Sequence, residues 1–310
     1  MSSDPRPQPV AAATAGSPIV IDGGLSNVLQ DRGHDLSDRL WTARLLRDAP
    51  HEIAEVHRAY YAAGARVATT ASYQASVPGW TAAGVAEADG AALVGSSVTI
   101  ARDVRDSMAG DGVQRWVAAS IGPYGAVLAD GSEYRGRYGL SAAALRDFHL
   151  PRMELLAAAG PDLLAVETIP DVDEAEVLVT ILDELALPAW FSYTIDGDRT
   201  RAGQPLADAF AVAGSAANVI AVGVNCCRPS DVLPAVRQAA KITGKPAVGY
   251  PNSGRGWDAT ARRWIGPSGF DPALAPLWRD AGARWIGGCC RVGPGEIGAL
   301  ARTVADHVPS

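Results

Sequence analysis

Short apolar runs alternate with longer stretches of helical spacing along nearly the whole chain. Residues 18–22, 65–70, 116–121, 163–167, 189–194, 219–225, 247–250 and 284–288 read as strands. Several are continuously apolar, the pattern of parallel strands covered on both faces. Between and after them, 51–64, 85–108, 142–159, 173–185, 206–217, 229–243, 272–281 and 295–307 place apolar residues at helical intervals. This alternation shows no domain boundary and predicts an α/β chain folded as one closed (β/α)8 barrel over residues 17–310. A doubly wound open sheet is the alternative. It finds little support, because Asp22-Gly23-Gly24-Leu25 stands after the first strand, where a dinucleotide fold carries G-x-G-x-x-G. Residues 1–16 are rich in Pro, Ala and Ser, lack the features of a signal peptide, and read as a disordered tail.

In a barrel the carboxyl ends of the strands meet at one mouth, so residues scattered in sequence converge there. Asp22, Thr70, Ser120, Glu167, Asn225 with Cys226, and Cys289 with Cys290 all fall at such ends. The chain has four cysteines, in two adjacent pairs, Cys226-Cys227 and Cys289-Cys290. Soft sulfur ligands meeting at one mouth favour zinc. Buried core pairs or a closed structural site of four thiolates are the bland alternatives, although structural zinc sites usually draw on C-x2-C pairs. For Asp22 and Glu167 taken singly, a helix cap or a loop ion pair is the ordinary role.

Composition narrows the chemistry. The 310 residues are 48% hydrophobic, enough for a large core, and no apolar run is long enough to span a bilayer. A formal charge of −7 without any basic block speaks against nucleic-acid or anionic-membrane partners. Sparse cysteines fit reduced thiols and a cytoplasmic location. The five histidines, His34, His51, His57, His149 and His307, all lie away from the predicted strand ends. Chemistry without histidine leaves thiolates and metal as the reactive elements. An electron-rich three-thiolate zinc acidifies water poorly and suits a further thiolate that stays nucleophilic, which points to sulfur alkylation. Two other classes stay open: a phosphate-binding barrel enzyme using the loop 291–296, and a non-enzymatic thiol sensor or zinc reservoir.

The segments Gly223-Val-Asn-Cys-Cys227 and Gly287-Gly-Cys-Cys-Arg291 carry a family resemblance. Asp22-Gly-Gly24, Thr69-Thr-Ala-Ser-Tyr-Gln-Ala75, Ser120-Ile-Gly-Pro-Tyr-Gly125 and Tyr250-Pro-Asn-Ser-Gly254 extend it over the chain after the tail. Together they resemble the homocysteine S-methyltransferase family. The segments 71–76 and 124–138 are most similar to its small, single-domain members that use S-methylmethionine. The resemblance implies that Cys226, Cys289 and Cys290 bind Zn2+ and that the thiol of L-homocysteine takes the fourth place. Cys227 is not carried over as a ligand. It further implies that Asp22, the Gly23 backbone, Thr70 and Glu167 hold the homocysteine amino and carboxylate groups. Asn225 joins these site residues by orienting the metal shell. A sulfonium donor favours aromatic and carboxylate surroundings, for which Tyr73, Tyr124 and Trp257 are candidates. S-adenosylmethionine and betaine are also admissible donors, and a selenol could replace the thiol acceptor.

Overall fold

The computed structural model describes residues 18–258 and 263–306. The tail of residues 1–16 and His307 lie outside the described residues. Eight parallel strands form the central sheet: β1 (Ile19–Val20), β2 (Val67–Thr69), β3 (Trp116–Ile121), β4 (Leu163–Ile169), β5 (Ala189–Tyr193), β6 (Val219–Asn225), β7 (Ala247–Tyr250) and β8 (Ala283–Ile286). β1 pairs with β8, and β8 is followed around the sheet by β7, β6, β5, β4, β3 and β2. The two edges then meet, since Ile21 bridges Val67 in parallel and the Arg66 N–H donates to the Val20 carbonyl at 2.7 Å. The sheet thereby closes into a (β/α)8 barrel, as the alternation predicts.

Each expected helical stretch forms a helix, among them Pro50–Ala63, Glu87–Ser107, Ala142–Ala158, Val172–Leu185 and Pro229–Thr243. No helix among the described residues is long and apolar enough to cross a membrane. Strand ends differ from expectation where glycine intervenes. β8 stops at Ile286, short of the expected 288. A side chain on Gly288 would put its Cβ 2.1 Å from Val292 Cγ1, and one on Gly287 would meet Ile21 Cβ at 2.8 Å. Two small hairpins were not legible in the pattern: Ile195–Asp196 with Arg199–Thr200, and Gly256–Asp258 with Arg263–Ile265.

Strand alternation sorts the core into two layers. Ile19, Ile21, Trp116, Ala118, Leu163, Ala165, Trp190, Val248, Tyr250 and Trp285 pack together inside the barrel. Intervening residues such as Val117, Ala119, Leu164, Val166 and Phe191 pack against the helices. This is why the strands read as unbroken apolar runs. Inside, Trp190 stacks tilted on Trp285 at 5.7 Å and donates its indole N–H to the Tyr250 hydroxyl at 2.9 Å. The plug is thus apolar below and hydroxylated on top. That hydroxyl is the first polar group of the site above it.

Candidate active site

β6 ends in Asn225, whose amide is wholly spent on its neighbours. Its Oδ1 accepts from the Thr168 N–H at 2.7 Å and the Ser192 hydroxyl at 2.9 Å, and its Nδ2 donates to Thr168 Oγ1 at 2.8 Å. These bonds hold Thr168 at φ 63°, a conformation a β-branched residue rarely adopts. The next residue, Cys226, also turns to a positive φ of 50°, and its N–H donates to the Tyr250 carbonyl at 3.2 Å. The chain therefore leaves the strand at Cys226. Cys227 is only 2% exposed and packs into the apolar layer between strands and helices.

The second pair follows Gly287 and Gly288 into a turn. The Cys289 N–H donates to the Pro251 carbonyl at 2.8 Å, and the Cys290 N–H to Asn252 Oδ1 at 3.1 Å. Asn252 also donates its own N–H to the Cys227 carbonyl at 3.0 Å. One short segment after β7 thus clamps both cysteine pairs and sets their separation.

The Sγ atoms of Cys226, Cys289 and Cys290 all lie within 4.8 Å of one another, with Cys226 and Cys290 at 3.7 Å. A tetrahedral zinc with Zn–S bonds of about 2.3 Å has S···S edges of about 3.8 Å. The three thiols therefore fit such an ion, with the fourth vertex left for another ligand. Hydrogen bonds from Cys226 and Cys289 hold the Cys290 thiol well below its ordinary range, while the hydrogen bond with Cys226 pushes Cys289 up. Cys226 is pushed up as well, so the cluster without an ion favours a single thiolate, on Cys290. The Tyr134 hydroxyl lies 3.3 Å from Cys226 Sγ.

Above the thiols opens a cavity of about 380 Å³. Gly23, Thr70, Tyr73 and Glu167 line it together with the three cysteines. Glu167 accepts from the Ser120 hydroxyl and, at 3.0 Å, from the Tyr250 hydroxyl. Burial pushes its carboxyl up to about 7. Asp22 sits just behind the lining, where its carboxylate accepts from the Thr69 N–H at 2.8 Å and from the Thr69 hydroxyl. Burial raises Asp22 to about 8. Thr70 Oγ1 pairs with Ser72 Oγ at 2.7 Å. Arg152, buried in its helix, donates to the carbonyls of Gly122 at 3.0 Å, Ser72 at 2.8 Å and Tyr73 at 2.5 Å, which fixes the Tyr73 wall.

The structure does not gather every expected residue. Asn225 is fully buried and does not line the cavity. Tyr124 packs on Tyr138 at 5.3 Å and Phe148 at 5.0 Å, away from the cavity, because the Tyr124–Leu128 helix turns its first residue outward onto the neighbouring helix. The side chain of Trp257 lies outside the described residues. Conversely, Trp41, Glu133 and Tyr134 line the cavity without having been singled out as site residues. The acidic-aromatic run Asp130-Gly-Ser-Glu-Tyr134 was a visible signal for the last two. The loop after β8 does not form an open phosphate cradle, since the Gly293 N–H is taken by the Glu296 carboxylate at 3.1 Å.

A (β/α)8 barrel with three thiols converging beside a cavity at its carboxyl-terminal mouth defines a class of thiolate-site enzymes. Comparison with known proteins specifies which. The model of the homocysteine S-methyltransferase family matches residues 19–304, so the chain belongs to that family and is a methyltransferase. A homocysteine S-methyltransferase of Escherichia coli strain K12 is 44% identical over 91% of this chain and 94% of its own. Homocysteine S-methyltransferase 4 of Zea mays is 43% identical over 94% and 91%. The crystal structure of the homocysteine methyltransferase MmuM from Escherichia coli, in its metallated form, superposes with a TM-score of 0.85 at 41% identity, covering 94% of this chain and 98% of that one.

Proposed function

We propose that this protein transfers a methyl group from a sulfonium donor, S-methylmethionine, to the thiol of L-homocysteine, using zinc held by Cys226, Cys289 and Cys290. The observation that carries this reading is the 3.7 Å Cys226–Cys290 separation, a tetrahedral edge, beside a cavity whose wall is a buried carboxyl. The metallated form of the Escherichia coli relative supports it. Zinc in this site supplies a Lewis acid that keeps a coordinated thiol ionised near neutral pH. The chain's own residues do the rest.

Glu167 and, behind it, Asp22 form the acidic end that takes the homocysteine ammonium, while Thr70 and the Gly23 backbone take its carboxylate. Asn225 acts through Thr168 and Ser192, holding the strand ends beside Cys226 in place. The Tyr134 hydroxyl hydrogen-bonds Cys226 and draws charge from that sulfur. Tyr73 and Trp41, packed edge to face at 6.2 Å, form a wall that excludes water and orients the donor. The homocysteine sulfur attacks the donor methyl in line. Its lone pair forms the new C–S bond as the old C–S pair stays on the donor sulfur, which leaves as a neutral thioether. With S-methylmethionine both products are methionine. No proton moves at the methyl carbon, so no general base is needed, and no histidine lines the cavity. The unpaired thiols fit a cytoplasmic setting.

A donor panel tests the reading: zinc-loaded protein, homocysteine, and S-methylmethionine, S-adenosylmethionine or betaine, following methionine. S-methylmethionine should turn over fastest, and chelation should abolish turnover until zinc is restored. Full activity of rigorously metal-free protein, or turnover with betaine alone, would sink it.

A further inference from the structure

The 3-10 turn Ser132–Tyr134 carries an acid with one unpartnered carboxylate oxygen. Glu133 lines the cavity, yet its Oε2 is closed off from solvent and has no hydrogen-bond partner among the described residues. The other acids on the lining are engaged. Asp38 pairs with Arg44 at 2.5 Å, and Glu167 holds the Ser120 and Tyr250 hydroxyls. No lysine or arginine among the described residues lines the cavity. A buried carboxylate oxygen left in this state is costly, and a cationic ligand relieves the cost.

The turn is anchored and not merely passing by. Ser132 is fully buried, its N–H donates to Asp130 Oδ1 at 2.9 Å, and its hydroxyl accepts from Arg135 Nη2 at 2.8 Å. The turn's backbone lies so close to Gly125 that a Cβ there would come within 2.6 Å of the Glu133 nitrogen. The adjoining residue, Tyr134, reaches Cys226 Sγ, so Glu133 belongs to the metal end of the cavity. Burial raises its carboxyl, and charge on Cys226 adds to the rise. The transferred methyl, and the cationic sulfur that carries it, must approach at this end.

We propose that Glu133 is the counter-charge for the sulfonium centre of the methyl donor and makes the site select cationic donors over neutral ones. This assignment rests on the sulfonium-donor reading above. The test compares S-methylmethionine with its uncharged carbon isostere, 2-amino-5-methylhexanoate, on zinc-loaded wild type and Glu133→Gln. In the variant, KM for S-methylmethionine should rise about 10- to 100-fold, as expected on removing one partner of a desolvated charge pair. The inhibition constant of the isostere, KM for homocysteine and zinc content should stay unchanged. Equal weakening of donor and isostere, or of neither, would overturn the assignment. Loss of zinc in both Glu133→Gln and Glu133→Asp would give the residue a structural role instead. If wild type turns over no sulfonium donor, the donor reading itself fails and Glu133 with it, whereas an active wild type with an unaffected variant sinks Glu133 alone.

Discussion

The two cysteine pairs are identical in sequence and opposite in outcome. Cys226-Cys227 sends one thiol to the mouth and one into the core, whereas Cys289-Cys290 sends both to the mouth. The backbone decides. After β6 the chain turns at Cys226 with φ 50°, and Cys227 is carried back under the Pro229–Thr243 helix side of the sheet. After β8, two glycines let the chain press against Ile21 and Val292 before it turns, so that both residues of the pair face the same point. A doublet is therefore not a ligand motif in itself. The residues that flank it, Asn225 on one side and Gly287-Gly288 on the other, determine how many ligands it yields.

The largest effect should come from the ligands. Serine at position 226, 289 or 290 should remove most bound zinc, measured by atomic emission, and lower methionine formation by at least about a hundredfold. Cys227→Ala should keep the metal, with a loss of stability on the order of 1 kcal/mol from the small cavity it leaves. Equal zinc loss in all four variants would mean a closed four-thiolate site and would erase the contrast between the pairs.

Second in size is the support. Asn225→Ala should reduce zinc affinity about 10- to 100-fold without touching the metal, because Thr168 and Ser192 lose the amide that ties their strands to the end of β6, one residue before Cys226. Competition with a chromophoric chelator reads this directly, and unchanged affinity would show that the turn at Cys226 holds itself. On the other pair, Gly288→Ala should lower the melting temperature, the equivalent of about 1–3 kcal/mol of overpacking against Val292. A variant as stable as wild type would show that this turn has slack.

Much of this was legible beforehand, and the exceptions share a cause. Short apolar runs and helical patterning identified every barrel strand and the helices after them, because the strands are covered on both faces and the helices are buried on one. The two cysteine pairs were legible from their place after strand runs, and the trio Cys226, Cys289 and Cys290 from the family resemblance. Why Cys227 turns away was not legible, because the strand has already ended at Asn225 and side-chain alternation does not place the pair. Tyr124, expected at the donor, faces a neighbouring helix, and Tyr134 stands at the Cys226 thiol instead. Both lie in the irregular stretch after β3, where no periodicity says which way a ring points. Asn225 likewise reads as a site residue in sequence, but its hydrogen bonds show it serving its neighbours.

Smaller effects separate the substrate end from the metal end. Glu167→Gln should raise KM for homocysteine about tenfold and leave zinc content intact, the loss of one charged hydrogen bond. Loss of zinc in that variant would instead tie Glu167 to the metal cluster. The same carboxyl predicts a pH dependence. Its folded-state pKa of about 7 lies above the ordinary carboxyl value of 4.5, so it is neutral below and charged above that point. Homocysteine binding should then strengthen as pH rises through about 7, a limb that Glu167→Gln should flatten. Stability has the opposite sign. Glu167 and Asp22 bind protons in the folded chain where the unfolded chain has released them, so the ligand-free protein should lose stability as pH rises from about 4.5 to about 8. A melting temperature that climbs over this interval would contradict the burial of these two groups.

Pairing of β1 with β8 has a temporal meaning as well as a spatial one. During synthesis the first strand waits for the last: Ile19 and Val20 acquire their partners Trp285 and Ile286 only when nearly the whole chain has emerged. The thiol of Cys226 is made early, but its companions at 289 and 290 arrive with that same closing strand. On the ligand set proposed above, zinc capture would therefore follow barrel closure, and a bound ion would mark a closed sheet. Chains cut short before residue 289 would keep one isolated thiol at the mouth and no means of holding zinc. Zinc uptake would thus report that the last strand has joined the first.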